Sequence, residues 1–185
     1  MQREIRAGLP VEIRADGDAI KVAGYAAVFN EEADIGGMFR EKIAPGAFTE
    51  AVGRDDVVFL VNHEGLPLAR TRSGTLKLSE DDRGLYMETE LDASDPDVAQ
   101  IVPKMKRGDM DKMSFAFIAT RQEWDETGDI PVRTVSEAEL FDVSIVNTPA
   151  YAGTEIGLRS LQESRSGSSA AIKVRTSLKI KLAQK

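Results

Sequence analysis

Lys112-Met113-Ser114-Phe115-Ala116-Phe117-Ile118-Ala119 and Ala138-Glu139-Leu140-Phe141-Asp142-Val143-Ser144-Ile145-Val146 are the two stretches whose reading decides the fold. Both are apolar, rich in aromatic and branched residues, and patterned at period two, which is the signature of strands rather than helices. In the first, Met113, Phe115 and Phe117 share the face that would meet a core, while Ser114 and Ala116 share the opposite face. In the second, Asp142 interrupts a hydrophobic run, and an ionised carboxylate there needs a cation or a strong donor beside it.

Strand signals also dominate the first ninety residues. Residues 11–14 alternate, residues 19–29 read as a longer strand, and residues 75–78 face residues 84–91 across Ser79-Glu80-Asp81-Asp82-Arg83 as a hairpin. A short helix is expected after Pro45, over residues 46–52. A longer one is expected over residues 94–108: Ser94 or Asp95 caps it, Pro96 opens it, Val98, Ile101, Val102 and Met105 form its apolar face, and Gly108 stops it. Pro103 should kink that helix or shorten its second half. The sum is a β-rich α+β fold with at least one inserted helix.

The length of 185 residues and 42% hydrophobic content suit one domain with a real core. Without cysteine there is no disulfide framework, no thiolate metal site and no thiol nucleophile, and a reducing compartment is expected. Neither a secretory h-region near Met1 nor a run of about 18 apolar residues is present, so no membrane span and no secretion are expected. Residues 159–185 hold seven Lys/Arg against one acid, whereas residues 1–158 hold 17 bases against 30 acids. The acidic body is not built to bind nucleic acid by charge, and no specific nucleic-acid partner is expected. The domain is expected to run over 1–161, followed by a flexible Ser/Gly linker over 162–171 and a basic tail over 172–185.

His63 is the only histidine. It closes the apolar run Val57-Val58-Phe59-Leu60-Val61, ahead of the turn-prone Glu64-Gly65, and any imidazole proton transfer near neutral pH falls to it. A histidine base needs a nucleophile and usually a third group to orient it. Ser114 and Asp142 are the candidates, with Ser144 as rival nucleophile and Glu137 and Glu139 as rival acids. Each also has an ordinary reading: a strand serine, a carboxylate satisfied by backbone amides, a strand-end histidine bonded to backbone. The acidic runs Glu31-Glu32-Ala33-Asp34 and Glu80-Asp81-Asp82 match no metal loop and read as solvated turns.

Val58-Phe59-Leu60-Val61-Asn62-His63, residues 112–117, and residues 140–151, ending Asn147-Thr148-Pro149-Ala150-Tyr151, together resemble the three signature blocks of the tailed-phage prohead maturation proteases. Gly24-Tyr25-Ala26-Ala27-Val28-Phe29 and residues 39–48 are similar to that family's N-terminal blocks, so the resemblance spans about residues 20–160. It implies an assemblin-like antiparallel β-barrel of about six to seven strands ringed by a few helices, and a serine endopeptidase with Ser114 as nucleophile, His63 as base and Asp142 as third member. Glu139 is the fallback for that place, and the oxyanion hole is expected around Ala150 and Tyr151. No metal or organic cofactor is called for. The implied substrates are the major capsid protein, the scaffold and the enzyme itself, within the procapsid in the host cytoplasm; a homodimer is left open. Two rivals stand beside this reading: a non-catalytic assembly protein whose protease-like barrel only binds capsid subunits, and a hydrolase of another ester or amide. The histidine should titrate near 6.5, or higher if Asp142 pairs with it.

Overall fold

The computed structural model describes residues 3–16, 19–147 and 162. Residues 163–171 of the expected linker, the basic tail, the domain end and the Ala150-Tyr151 loop lie outside these residues. Eleven strands and two helices follow one another along the described chain: β1 (Glu4–Pro10), β2 (Glu12–Asp16), β3 (Ala19–Val28), β4 (Ala33–Ile35), β5 (Phe39–Ile43), α1 (Thr49–Arg54), β6 (Val58–Val61), β7 (Glu64–Arg70), β8 (Leu76–Glu80), β9 (Gly84–Asp92), α2 (Pro96–Lys106), β10 (Lys112–Asp125) and β11 (Val132–Val146).

The β-rich α+β reading holds, but the strands form two mixed or open sheets and no closed antiparallel barrel among the described residues. One sheet runs β1-β10-β11-β5-β4, with β6 also paired to β11 and β7 to β6; the other runs β2-β3-β9-β8. The departure from antiparallel order comes from β11. Its fifteen residues pair antiparallel with β10, yet its other edge is shared by two parallel neighbours, β5 at Val132 to Val135 and β6 at Asp142 to Ile145. A strand that long can seat two short strands end to end.

Phe29, Phe48, Phe59, Phe115, Phe117, Leu85 and Met87 lie at the buried centre, and burial of that apolar area is what holds the sheets together. The β8–β9 hairpin forms as its pattern suggests. Gly84 opens β9 where only a hydrogen fits, because a Cβ there would collide with the Ala27 carbonyl. Asp95 caps α2 by accepting from the Asp97 amide, and α2 continues through Pro103 to Lys106 rather than breaking. The residues 80–82 run is more than a solvated turn: Glu80 accepts from the amides of Gly46 (2.6 Å) and Phe48 (3.0 Å) ahead of α1, and Asp81 accepts from Tyr25 Oη (2.6 Å).

Two features at the sheet's edge were not anticipated. Residues 4–10 form a strand, β1, paired antiparallel with β10. Beneath it lies a buried charge cluster: Arg6 Nε donates to Glu41 Oε1 (2.5 Å), and Arg133 donates to Glu4 (2.6 and 2.7 Å) and to Glu41 (2.7 Å). All four side chains are buried. Burial alone would raise the Glu4 carboxyl, but Arg133 and Arg6 overcome it and hold that carboxyl below its ordinary value.

Candidate active site

The β6–β7 hairpin aims the histidine. Val61 pairs with Glu64, so the loop is two residues, Asn62 and His63, both with positive φ (52° and 63°). That is the arrangement of a type I′ turn, whose twist matches a hairpin and whose first position suits Asn. A histidine in the second position carries left-handed strain of roughly 1–2 kcal/mol, and strain of this kind gathers where a side chain must be placed for use. The turn is therefore two residues earlier than Glu64-Gly65 suggests, and Asn62 was the readable signal. The Asn62 amide donates to the Ile145 carbonyl (3.0 Å), tying the turn to β11.

The β10–β11 pairing brings the other groups onto one face. Ser114 lies opposite Ser144, and Ala116 opposite Asp142. Phe117 then pairs with Leu140, leaving Phe141 as an extra residue. Such a bulge re-aims the side chains beside it. Asp142, two residues from Ser144, follows the regular register onto the face of Ser114, while Glu139 lies beyond the bulge, pairs with Ile118 and acts electrostatically on Arg54 of α1. Glu137 sits at the surface against Arg121 (3.5 Å).

The result is a carboxylate, an imidazole and a hydroxyl in series. His63 Nδ1 is 2.6 Å from Asp142 Oδ1, and Nε2 is 2.7 Å from Ser114 Oγ. Ser144, the rival nucleophile, stands on the acid's side: its Oγ donates to Asp142 Oδ1 (2.8 Å) and lies 3.2 Å from His63 Nδ1. Asp142 Oδ2 has no hydrogen bond of ordinary geometry and meets the Arg3 guanidinium instead. Ser114 was expected on an accessible face. It is 0% exposed, because β1 lies against β10 and the Arg6 carbonyl accepts a hydrogen bond from Ser114 Oγ at 2.7 Å.

Burial, aided by the Arg3 charge, pushes the His63 imidazole down to about 4, in place of the expected upward shift. Removal of the ring from water is the larger cause, and the Arg3 guanidinium adds to it. With neutral imidazole and ionised Asp142, the Nδ1 proton faces the carboxylate and Nε2 is free to accept from a hydroxyl.

The described residues include no group of three or more His, Asp or Glu side chains placed to hold a metal ion. No described helix is long and apolar enough to cross a membrane.

A hydroxyl, imidazole and carboxylate in series on a β scaffold define a class of site suited to nucleophilic attack on a carbonyl. Comparison with known proteins places the chain more closely. Residues 9–166 match the profile of the caudovirus prohead serine proteases, and the chain belongs to that family. It is 29% identical over 118 residues to the prohead protease of Enterobacteria phage HK97, a match covering 62% of this chain and 49% of that protein. The chain thus spans about half the length of the curated relative it matches. No solved structure matches it.

Proposed function

We propose that this chain is a serine endopeptidase of phage capsid maturation, acting inside the procapsid on capsid protein, scaffold and itself. The observation that supports it most directly is the Asp142–His63–Ser114 line at 2.6 and 2.7 Å, built from two neighbouring strands and one strained turn. Ser114 Oγ attacks the peptide carbonyl carbon as its proton passes to His63 Nε2. The C–N bond then breaks, and the leaving amine takes that proton. A water molecule gives a proton to His63 and its hydroxide to the acyl carbon; the ester bond to Ser114 Oγ breaks, and that oxygen takes the proton back from His63, releasing the carboxylic acid. Throughout, Asp142 orients the ring and stabilises its charged form, and Ser144 steadies Asp142.

The assembly-protein reading has one observation on its side, the complete burial of Ser114. One test separates the readings. Purified chain is incubated with its capsid and scaffold proteins and followed by intact mass, beside Ser114→Ala. New termini with the native chain and none with the variant are expected; intact partners in both would leave the binding reading standing.

A further inference from the structure

The Ser114 hydroxyl has one proton and two acceptors competing for it, His63 Nε2 and the Arg6 carbonyl, each at 2.7 Å. Given to Arg6, that proton cannot pass to the base, and the nucleophile is silent. The backbone of residues 4–7 pairs with Phe117, Ala116, Phe115 and Ser114, which places a peptide group of this same chain against the reactive oxygen as an added strand.

We propose that the outer edge of β10 at residues 112–117 is the binding strand for an extended polypeptide substrate, and that β1 is its intramolecular occupant, so that a substrate is bound and cleaved only after β1 is displaced. This rests on the peptidase reading above and names how its site takes a substrate. Without β1, β10 becomes an edge with unpaired N–H and C=O groups, the kind of edge on which an incoming peptide adds as a strand.

Three observations mark β1 as a removable strand. None of its described apolar side chains is in the buried core; Ile5 and Leu9 are only half-buried. A cavity of about 280 Å³, lined by Arg6, Leu9, Glu41, Ile43 and Phe115 among others, remains between β1 and the body. The polar cluster fastens β1 through Arg6–Glu41 and Arg133–Glu4 hydrogen bonds, yet it divides evenly when they open: β1 carries Glu4 and Arg6, whose side chains bond to each other (2.7 Å), and the body keeps Glu41 and Arg133, which also bond to each other (2.7 Å). Departure of β1 leaves a neutral pair on each side, avoiding the cost of a buried uncompensated charge. The family match starts at residue 9, so residues 4–7, which cover the site, lie ahead of it.

The test uses the full chain in three states, each read by peptide cleavage and by fluorophosphonate labelling of Ser114. Ile5→Pro loosens β1 by removing a backbone donor, and cleavage and labelling should rise at least tenfold. Ile5→Cys with Ala116→Cys joins directly opposed residues in a chain with no other cysteine; whatever rate the substitutions leave in the reduced form, oxidation should lower it at least tenfold. A synthetic peptide of residues 1–10 should inhibit the loosened variant in trans. Equal rates in the native, loosened and disulfide-locked chains would overturn the proposal and leave the peptidase reading intact. No labelling or cleavage in any state, with the chain folded by circular dichroism, would remove both.

Discussion

Two buried polar regions lie within a few residues of each other along β1, and they are built on opposite plans. Glu4, Arg6, Glu41 and Arg133 balance two charges with two and satisfy one another by hydrogen bonds. Asp142, His63, Ser114 and Ser144 hold one ionised carboxylate among neutral groups, and the balance comes from outside, from Arg3. A closed set of charges has nothing left to offer a ligand and serves as a fastening. An unbalanced set stores a charge that can be used when imidazolium forms, which is the arrangement chemistry needs.

The largest test of that contrast is turnover. Ser114→Ala and His63→Ala should each lower kcat on the order of 10⁶-fold, since the two act as a unit, and Asp142→Asn about 10⁴-fold, since an amide neither stabilises imidazolium nor fixes the tautomer. Melting temperatures should hardly move. Near-native cleavage by any of the three would dissolve the distinction between the regions.

The charge cluster should respond the other way. Arg133→Met leaves Glu4 and Glu41 with Arg6 alone, and removing one partner from a buried pair costs about 3–5 kcal/mol. Thermal melting should fall by roughly 10 °C. Arg133→Met combined with Glu41→Leu removes a neutral pair and should recover much of that loss in a double-mutant cycle. Purely additive losses would mean the cluster is not the paired fastening described here. Because the Glu4 carboxyl is held below its ordinary value, its contribution is present above about pH 4.5 and is lost as pH falls through the lowered value.

A single histidine permits an unambiguous NMR titration. His63 in the native chain should titrate well below 6.5, toward 4. The unfolded chain then binds the extra proton between those values, so the folded state loses stability as pH drops from 6.5 toward 4. Arg3→Ala leaves Asp142 without its counter-charge and should raise the midpoint. A native midpoint at or above 6.5 would show that Asp142, not burial, governs the ring.

The smallest effects separate neighbours on one strand. Ser144→Ala removes a donor to Asp142 and should slow cleavage about tenfold, and Glu139→Gln should change it less than twofold. Reversal of these two rates, measured as kcat/KM on one peptide, would assign the orienting acid to Glu139.

Much of the site was legible because strand periodicity is local. Ser114 opposite to three large apolar neighbours, Asp142 inside a hydrophobic run and a lone His63 could each be found by reading along the chain. Glu4 and Arg6 were not read as part of a strand, since a charged pair at period two resembles a solvated edge until its partners, 35 to 129 residues away, are known. The turn at Asn62-His63 was placed two residues late because Glu64-Gly65 carried the more familiar signal.

The amino-acid sequence by itself determined which chemistry is available: one imidazole, no thiol, a hydroxyl and a carboxylate each set in an apolar strand. Composition and periodicity are properties of neighbouring residues and survive without knowledge of the fold. Tertiary structure alone decided the rest. The register of β11 with β10 and β6 gives Asp142 to His63 and leaves Glu139 beyond the bulge at Phe141, the parallel pairing of β6 with β11 brings the turn above Ser114, and β1 closes the face that periodicity left open. Each depends on which distant strand supplies the partner, and hydrogen-bond register between strands is a relation that no single stretch of sequence contains.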